Sequence, residues 1–128
     1  RPQEPFDIKE MRGKTVVVYF WSSSHPQTHQ DLQNLKQLTD RYLFRGLEIV
    51  YVNLDESAEK AQTFLSGILT AGVHVHQPGG LESPIAERFG MEKLPEVFLI
   101  DREGRLIQHS LSTNDLDAIV SKRLNDHK

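Results

Sequence analysis

Three consecutive serines followed by a histidine stand between an apolar run and a helical pattern. The stretch reads FWSSSHPQTH over residues 20–29. A serine beside a histidine suggests nucleophilic catalysis, with His25 as the base. Adjacent residues rarely reach each other as a catalytic pair, however, and the sequence has neither an acidic residue placed to orient His25 nor the G-x-S-x-G pattern of a nucleophile elbow. We therefore expect the hydroxyls of residues 22–24 to bond the first N–H groups of the helix.

Two histidines of the same stretch have the spacing of metal ligands. His25 and His29 are four residues apart, so on a helix they project from similar faces. Imidazole pairs of this kind suit zinc or copper. The sequence identifies no third ligand, since it does not tell whether His74 and His76, which alternate along a predicted strand, face the turn. Metal or small-ligand binding through His25 and His29 is therefore kept as an alternative function.

Cysteine is missing from the chain altogether. Disulfides, thiolate catalysis and thiolate metal sites are thereby excluded for this polypeptide. Dithiol exchange needs one thiolate to attack and a second thiol to resolve the mixed disulfide. Peroxide reduction likewise needs an oxidisable sulfur. Neither histidine nor threonine supplies that chemistry, so this chain performs these reactions only if a partner contributes every sulfur.

Length and charge restrict the class of protein. The 128 residues are the size of one domain, and a net charge of −3 argues against a general nucleic-acid or anionic-membrane binder. No apolar run approaches the ~18 residues of a membrane span. The lead-in RPQEP, residues 1–5, has neither the basic nor the apolar region of a signal peptide. We expect a linker-like start to a single domain, residues 1–128, excised from a larger or secreted protein.

Hydrophobic periodicity and turn residues predict alternating strands and helices. The expected strands are 15–21, 47–54, 73–76, 97–101 and 105–110, and the expected helices are 26–44, 58–71, 84–89 and about ten residues capped by Thr113 or Asn114. The DREG turn at 101–104 joins the last two strands as a hairpin. The order β-α-β-α-β-α-β-β-α predicts an α/β fold with a mixed central sheet and helices on both faces.

Three segments carry a resemblance to a known family. GKTVVVYFW, RGLEIVYVNLDES and PGGLESPIAERFGMEKLPEVFLIDREGRL resemble the thioredoxin-like fold, in its TlpA/ResA-like, redoxin-related branch of thiol-disulfide oxidoreductases. The resemblance covers nearly the whole chain. It implies a cis-proline at Pro95 lying against the active-site turn, and a location outside the cytoplasm.

The resemblance breaks at the residues that perform the family's chemistry. In such proteins the turn after the aromatic pair carries two cysteines separated by two residues. His25 falls at the first cysteine position, Thr28 at the second, and Ser24 at the aromatic position before them. Asp31 falls near an acidic position that assists thiol chemistry in some ResA-like proteins. The resemblance therefore implies a retained scaffold without its redox couple.

These observations favour a redox-inactive domain that binds a peptide or partner protein. The expected groove lies between the 22–28 turn, the Pro95 loop and the 76–80 loop, and no residue is expected to be catalytic. The expected binding residues are Ser24, His25, Pro26, Gln27, Thr28, Leu94 and Pro95. Two other functions stay open: thiol-disulfide exchange, which rests on the family alone, and a purely structural role within a larger protein.

Overall fold

The computed structural model describes residues 11–66 and 72–126 and shows an α/β domain there. In this part of the chain the elements are β1 Thr15–Trp21, α1 Gln27–Tyr42, β2 Leu47–Asn53, α2 Ala58–Leu65, β3 Val73–His76, α3 Pro84–Phe89, β4 Glu96–Ile100, β5 Leu106–His109 and α4 Leu116–Asp126. The predicted order of strands and helices is confirmed. None of the helices in these two stretches has the length and apolar content that crossing a bilayer requires.

The five strands form one mixed sheet in the order β3-β2-β1-β4-β5. Strands β1, β2 and β3 are parallel, whereas β4 runs antiparallel to both β1 and β5. The carboxyl ends of the parallel strands therefore meet the amino end of β4 at one edge of the sheet. That edge, which we call the carboxyl edge, carries the 22–28 turn, the 53–56 segment, the 76–80 loop and the Leu94–Pro95 loop.

Two apolar layers enclose the sheet and explain the continuous apolar run of β1. All seven residues of β1 are buried. Val17, Tyr19 and Trp21 pack in one cluster with residues of α1, α2 and α4. Phe20 and its neighbours on the opposite face pack in a second cluster with α3. Because both faces of the strand are covered, its residues are apolar apart from Thr15 at its start and the hydroxyl of Tyr19, which bonds Asp31.

The ends of the helices differ from prediction in two places. Helix α1 begins at Gln27 instead of Pro26, and after Tyr42 it tightens into a short 3-10 turn that Gly46 ends with a φ of 94°. The predicted cap of the last helix, Thr113 or Asn114, is wrong. The side-chain oxygen of Ser112 accepts a hydrogen bond from the N–H of Asn114. A 3-10 turn over Thr113–Asp115 precedes α4, which moves the cap to an earlier residue.

Other boundaries shift by a residue or lie outside the described residues. Strand β4 starts at Glu96 because the antiparallel pairing with β1 extends to the Phe20–Glu96 pair. Helix α2 is described to Leu65, and its amino end is capped by the side chain of Ser57. The remainder of its predicted span, 67–71, lies outside the described residues, as does the 1–5 lead-in.

Candidate functional site at the 22–28 turn

Backbone hydrogen bonds fold the 22–28 segment into two successive turns. The N–H of His25 donates to the carbonyl of Ser22 at 3.2 Å, and the N–H of Thr28 donates to the carbonyl of His25 at 3.0 Å. The hydroxyl of Thr28 also donates to the Ser22 carbonyl, at 3.2 Å. Thr28 is fully buried. It therefore ties the start of α1 to the end of β1 from within, and offers no surface to a ligand.

A buried carboxylate, Asp55, holds the first residues of the turn. Its oxygens accept from the Ser22 hydroxyl at 2.7 Å, the Ser23 N–H at 3.0 Å and the Asn53 amide at 3.0 Å. Burial works to raise the pKa of Asp55, but the hydrogen bonds from Ser22, Asn53 and Ser23 outweigh it and leave the pKa below its ordinary value. An ionised carboxylate with three donors is a satisfied structural anchor.

The serine hydroxyls do not cap α1, so that prediction is wrong. The hydroxyl of Ser22 lies 2.7 Å from Asp55 and 3.0 Å from the hydroxyl of Ser24. Across the described stretches, no hydrogen bond joins a hydroxyl of residues 22–24 to an N–H of α1. The Ser22 oxygen instead accepts from the N–H of Ser24 at 3.3 Å, while its hydroxyl donates to Asp55. Sequence reasoning missed Asp55 because the contact spans 33 residues.

A second buried carboxylate, Asp31, lies one turn into α1. It accepts from the hydroxyl of Tyr19 at 2.8 Å and from the hydroxyl of Thr113 at 2.7 Å. Burial strongly raises the pKa of Tyr19, and the negative charge of Asp31 raises it further. Both oxygens of Asp31 are thus engaged in joining α1 to β1 and to the turn before α4.

The exposed part of the turn consists of Ser24, Pro26 and Gln27, with His25 half-buried. The Nδ1 atom of His25 is buried and has no hydrogen-bond partner among the residues that the structure describes. These four residues form one continuous surface at the carboxyl edge. We call it the turn surface.

The Leu94–Pro95 loop adjoins the turn surface. Its peptide bond is cis, as the resemblance implied. Phe20 pairs with Glu96 in the antiparallel ladder, so the preceding Pro95 lies beside Trp21. Both Leu94 and Pro95 are half-buried. The sheet therefore brings the two predicted halves of the binding groove together.

The third predicted wall, the 76–80 loop, is one segment farther away. The N–H of Gln77 donates to the Asn53 carbonyl at 3.0 Å, and the N–H of Gly79 donates to the Glu56 carboxylate at 3.1 Å. His76 Nε2 lies 2.7 Å from the carbonyl oxygen of Asp55. The loop is thus anchored on the 53–56 segment, which stands between it and the turn.

The structure brings no third ligand to the predicted metal pair. His29 Nε2 lies 3.2 Å from Nε2 of Gln33, and the His29 ring packs edge-on against Phe64 with centroids 6.1 Å apart. Over residues 11–66 and 72–126, no group of three or more His, Cys, Asp or Glu side chains is placed to hold a metal ion. A two-histidine site would have to draw its other ligands from elsewhere.

A family model described as thioredoxin-like matches residues 13–106, more than half of the chain. The chain belongs to the thioredoxin-like family. As a member it is degenerate, because the redox cysteines that the resemblance implied are replaced by His25 and Thr28 and the chain has no other cysteine. The turn surface occupies the place of the family's thiol chemistry.

Curated relatives of this thioredoxin-like chain are named ResA thiol-disulfide oxidoreductases. The one from Bacillus thuringiensis subsp. konkukian is 27% identical over 103 residues, which is 80% of this chain and 57% of the relative. The one from Bacillus subtilis is 22% identical over 102 residues, covering 80% of this chain and 55% of the relative. The chain therefore spans little more than half the length of these relatives.

Solved structures of other thioredoxin-like proteins share the fold. The thioredoxin domain of a thiol-disulfide oxidoreductase from Bacteroides vulgatus superposes with a TM-score of 0.82 at 22% identity, covering 91% of this chain and 83% of that one. A secreted disulfide oxidoreductase of Mycobacterium tuberculosis gives 0.76 at 18% identity, covering 91% and 87%. The predicted fold and the resemblance to ResA-like proteins are confirmed.

Proposed function

We propose that this thioredoxin-like domain is redox-inactive and binds an extended peptide segment of a partner protein across the turn surface and the Leu94–Pro95 loop. The observation that carries the proposal is the Asp55 network, which fixes the backbone of the turn without any sulfur. A turn that is held rigid before binding loses little conformational entropy on binding. A turn held by Asp55 in this way therefore suits the recognition of a peptide as well as it suits catalysis.

The backbone at the groove supports this mode of binding. Extended peptides add to a protein chiefly through main-chain hydrogen bonds, and their side chains enter adjoining pockets. Outside the helices and strands of the described residues, no hydrogen bond uses the backbone of Leu94 or Pro95. The carbonyl groups of this loop and the N–H of Leu94 are thus available to a strand laid beside them.

A cleft of about 470 Å³ next to the turn offers room for a side chain of such a peptide. It runs from Ser23 to the amino half of α2 and ends at Phe64. Lys60 and Glu59 stand on its wall, so it combines one charge of each sign with an aromatic end. A peptide crossing the turn surface would meet this cleft directly after Ser24.

The redox-inactive part of the proposal is tested by insulin reduction in dithiothreitol. We expect the same rate with the chain as with the reagent alone, because no thiolate is present to attack insulin. The double variant His25→Cys, Thr28→Cys is the matched positive control, since it restores both sulfur positions on the same frame. Turnover above the reagent by the unaltered chain would refute redox inactivity.

The binding part is tested with a library of displayed linear peptides selected against the domain. We expect a selected peptide to shift the backbone amide resonances of Ser24, His25, Gln27 and Leu94. The double variant His25→Ala, Gln27→Ala should weaken that peptide by about ten-fold or more, the loss typical of contacts at the centre of an interface. Lys36→Ala, an exposed change farther along α1, serves as the control.

Two results would contradict the binding site. One is a set of selected peptides whose amide shifts all lie away from the turn surface and the Leu94–Pro95 loop. The other is equal affinity for the double variant and for Lys36→Ala. Either result is independent of the insulin assay, so redox inactivity and peptide binding are judged separately.

A further inference from the structure

A cleft of about 500 Å³ lies between α3 and the β4–β5 hairpin, apart from the turn surface. Its walls combine polar and apolar groups: Phe89 and Phe98 meet edge-to-face with ring centroids 4.9 Å apart and Leu106 is 49% exposed, while Glu92, Lys93 and Glu96 supply charges. An apolar surface beside a few placed polar groups is the combination that fixes a small ligand in a site.

A buried carboxylate stands among these walls. Glu96 is 6% exposed. One oxygen accepts from the Ser110 hydroxyl at 3.0 Å, and the other accepts from the N–H of the next residue, Val97, at 3.2 Å. Within the described part of the chain no Lys, Arg or His forms an ion pair with Glu96. A carboxylate removed from water without a cationic partner is costly, and a bound cation relieves that cost.

The backbone at Ser110 is arranged to serve this carboxylate. Ser110 has a φ of 58°, a conformation that residues other than glycine rarely adopt. The Ser110 hydroxyl donates its single hydrogen to Glu96. In the contact of 3.1 Å between His109 Nδ1 and the Ser110 oxygen, His109 must therefore be the donor. The hydrogen bonds thus run from His109 through Ser110 to Glu96 and fix the orientation of the carboxylate.

The charges that line the cleft favour a cation as its ligand. Glu92 and Lys93 stand with Glu96 around the opening, so two carboxylates face one ammonium. Lys93 forms no ion pair with any described residue. An anion entering the cleft would approach the buried carboxylate and be repelled. A cation with an apolar stem would place its charge at Glu96 and its stem against the two phenylalanine rings.

We infer that this cleft binds a primary ammonium carried on an apolar stem, with Glu96 as the acceptor. The ammonium could belong to a free amine or to a lysine side chain of another protein, because both present the same chemistry. The inference does not depend on the proposed peptide groove: Lys93 and Glu96 flank the Leu94–Pro95 loop in sequence, but neither Leu94 nor Pro95 lines the cleft.

Amide-resolved NMR titration with phenethylammonium chloride near neutral pH tests the inference on the unaltered chain. We expect saturable shifts at Lys93, Val97 and Ser110, and binding about ten-fold or more tighter than that of 2-phenylethanol, since hydrogen bonds to charged groups exceed neutral ones by this order. Equal binding of the amine and the alcohol, or shifts that never saturate, would overturn it. A peptide that contains one lysine, compared with its norleucine counterpart, distinguishes a protein ligand from a free amine.

Two variants test whether Glu96 and Lys93 determine the binding of the amine. Glu96→Gln keeps the shape of the side chain and should lose the preference for the amine over the alcohol. Lys93→Ala removes the competing positive charge and should tighten amine binding by about two- to five-fold, the order of a surface charge interaction. A Glu96→Gln protein that keeps the preference would refute the assignment. The comparison of amine and alcohol on the unaltered chain decides the inference even if a variant fails to fold.

Discussion

Asp55 and Glu96 are both buried carboxylates that accept a hydrogen bond from a serine hydroxyl, yet their surroundings differ. Asp55 lies under the turn, where three donors from Ser22, Ser23 and Asn53 surround it. Glu96 has the Ser110 hydroxyl and a backbone N–H from its own neighbour, and it borders an open cleft. A carboxylate whose oxygens are occupied by donors from within the protein serves the structure, and we call it a framework carboxylate. One with unused acceptor capacity at a cleft is available to a ligand.

The two carboxylates differ in the opposite way from what their positions in the family fold suggest. The turn stands where the family's thiol chemistry takes place, but its polar groups bond inward and its second cysteine position is a buried threonine. The β4–β5 cleft has no part in that chemistry, and yet it holds the carboxylate with the fewer donors. Substitutions of Asp55 should therefore change the stability of the domain and its sensitivity to acid, and substitutions of Glu96 should change its affinity for cations.

Removing the framework carboxylate should have the largest effect. Asp55→Ala leaves the Ser22 hydroxyl, the Ser23 N–H and the Asn53 amide without their acceptor, and we expect a loss of about 3 kcal/mol in the free energy of unfolding. Urea denaturation measures it. Asp40→Ala, which removes an exposed pair with Lys36, should cost less than about 0.5 kcal/mol. Similar losses in the free energy of unfolding for the two variants would contradict the assignment of Asp55 to the framework.

Neutral isosteres give a finer comparison of the two carboxylates. Asp55→Asn places an amide N–H₂ among donors, so we expect a cost of about 2 kcal/mol. Glu96→Gln retains an acceptor for Ser110, gives up the bond from the Val97 N–H and removes a buried charge that forms no ion pair with the described residues, so its cost should be below about 1 kcal/mol. The measurement is again urea denaturation at neutral pH. The reverse ranking would show Glu96 to be framework as well.

Acid should act through Asp55. Its pKa in the folded chain is lowered, so the stability it confers is complete above the unfolded pKa of about 4 and is lost as pH falls through the folded pKa. Asp101 shares this behaviour: burial works to raise its pKa, but hydrogen bonds from Arg105 and Glu103 outweigh it. Asp55→Asn should therefore lose less stability on acidification than the unaltered chain. Equal losses in both proteins would show that Asp55 does not titrate in this way.

The turn surface itself should contribute least to stability. His25→Ala removes a half-buried ring whose Nδ1 atom has no hydrogen-bond partner in the described residues, and we expect a change within about 0.5 kcal/mol. Thermal denaturation followed by circular dichroism checks it. A loss above about 1.5 kcal/mol would mean that His25 is part of the frame, and would weaken its assignment to peptide binding.

Local patterns were enough to predict the elements, but not the contacts between them. The run from Thr15 to Trp21 and the 3-4 spacing of leucines in α1 predicted a doubly covered strand and an amphipathic helix, because burial acts on consecutive residues. The Ser22–Asp55 bond depends on the parallel register that sets Trp21 beside Asn53. No spacing within either segment reports that register.

The contact between Glu96 and Ser110 was hidden for a related reason. The β4–β5 ladder changes register between Leu99 and Ile100, so counting from the hairpin turn places the partners one residue out of step. A usable signal did exist for the other carboxylate: Asn53 ends a buried strand and Asp55 comes two residues later, and polar residues there meet the end of the neighbouring parallel strand.

The hydroxyl of Thr28 also bears on whether the domain could acquire thiol chemistry. It closes the turn by bonding the Ser22 carbonyl from a fully buried position. A thiol is a weaker hydrogen-bond donor than a hydroxyl, so a change of Thr28 to cysteine would loosen the turn unless a second cysteine at position 25 made it useful. A return to thiol chemistry would thus meet its cost at the buried position and not at the half-buried His25.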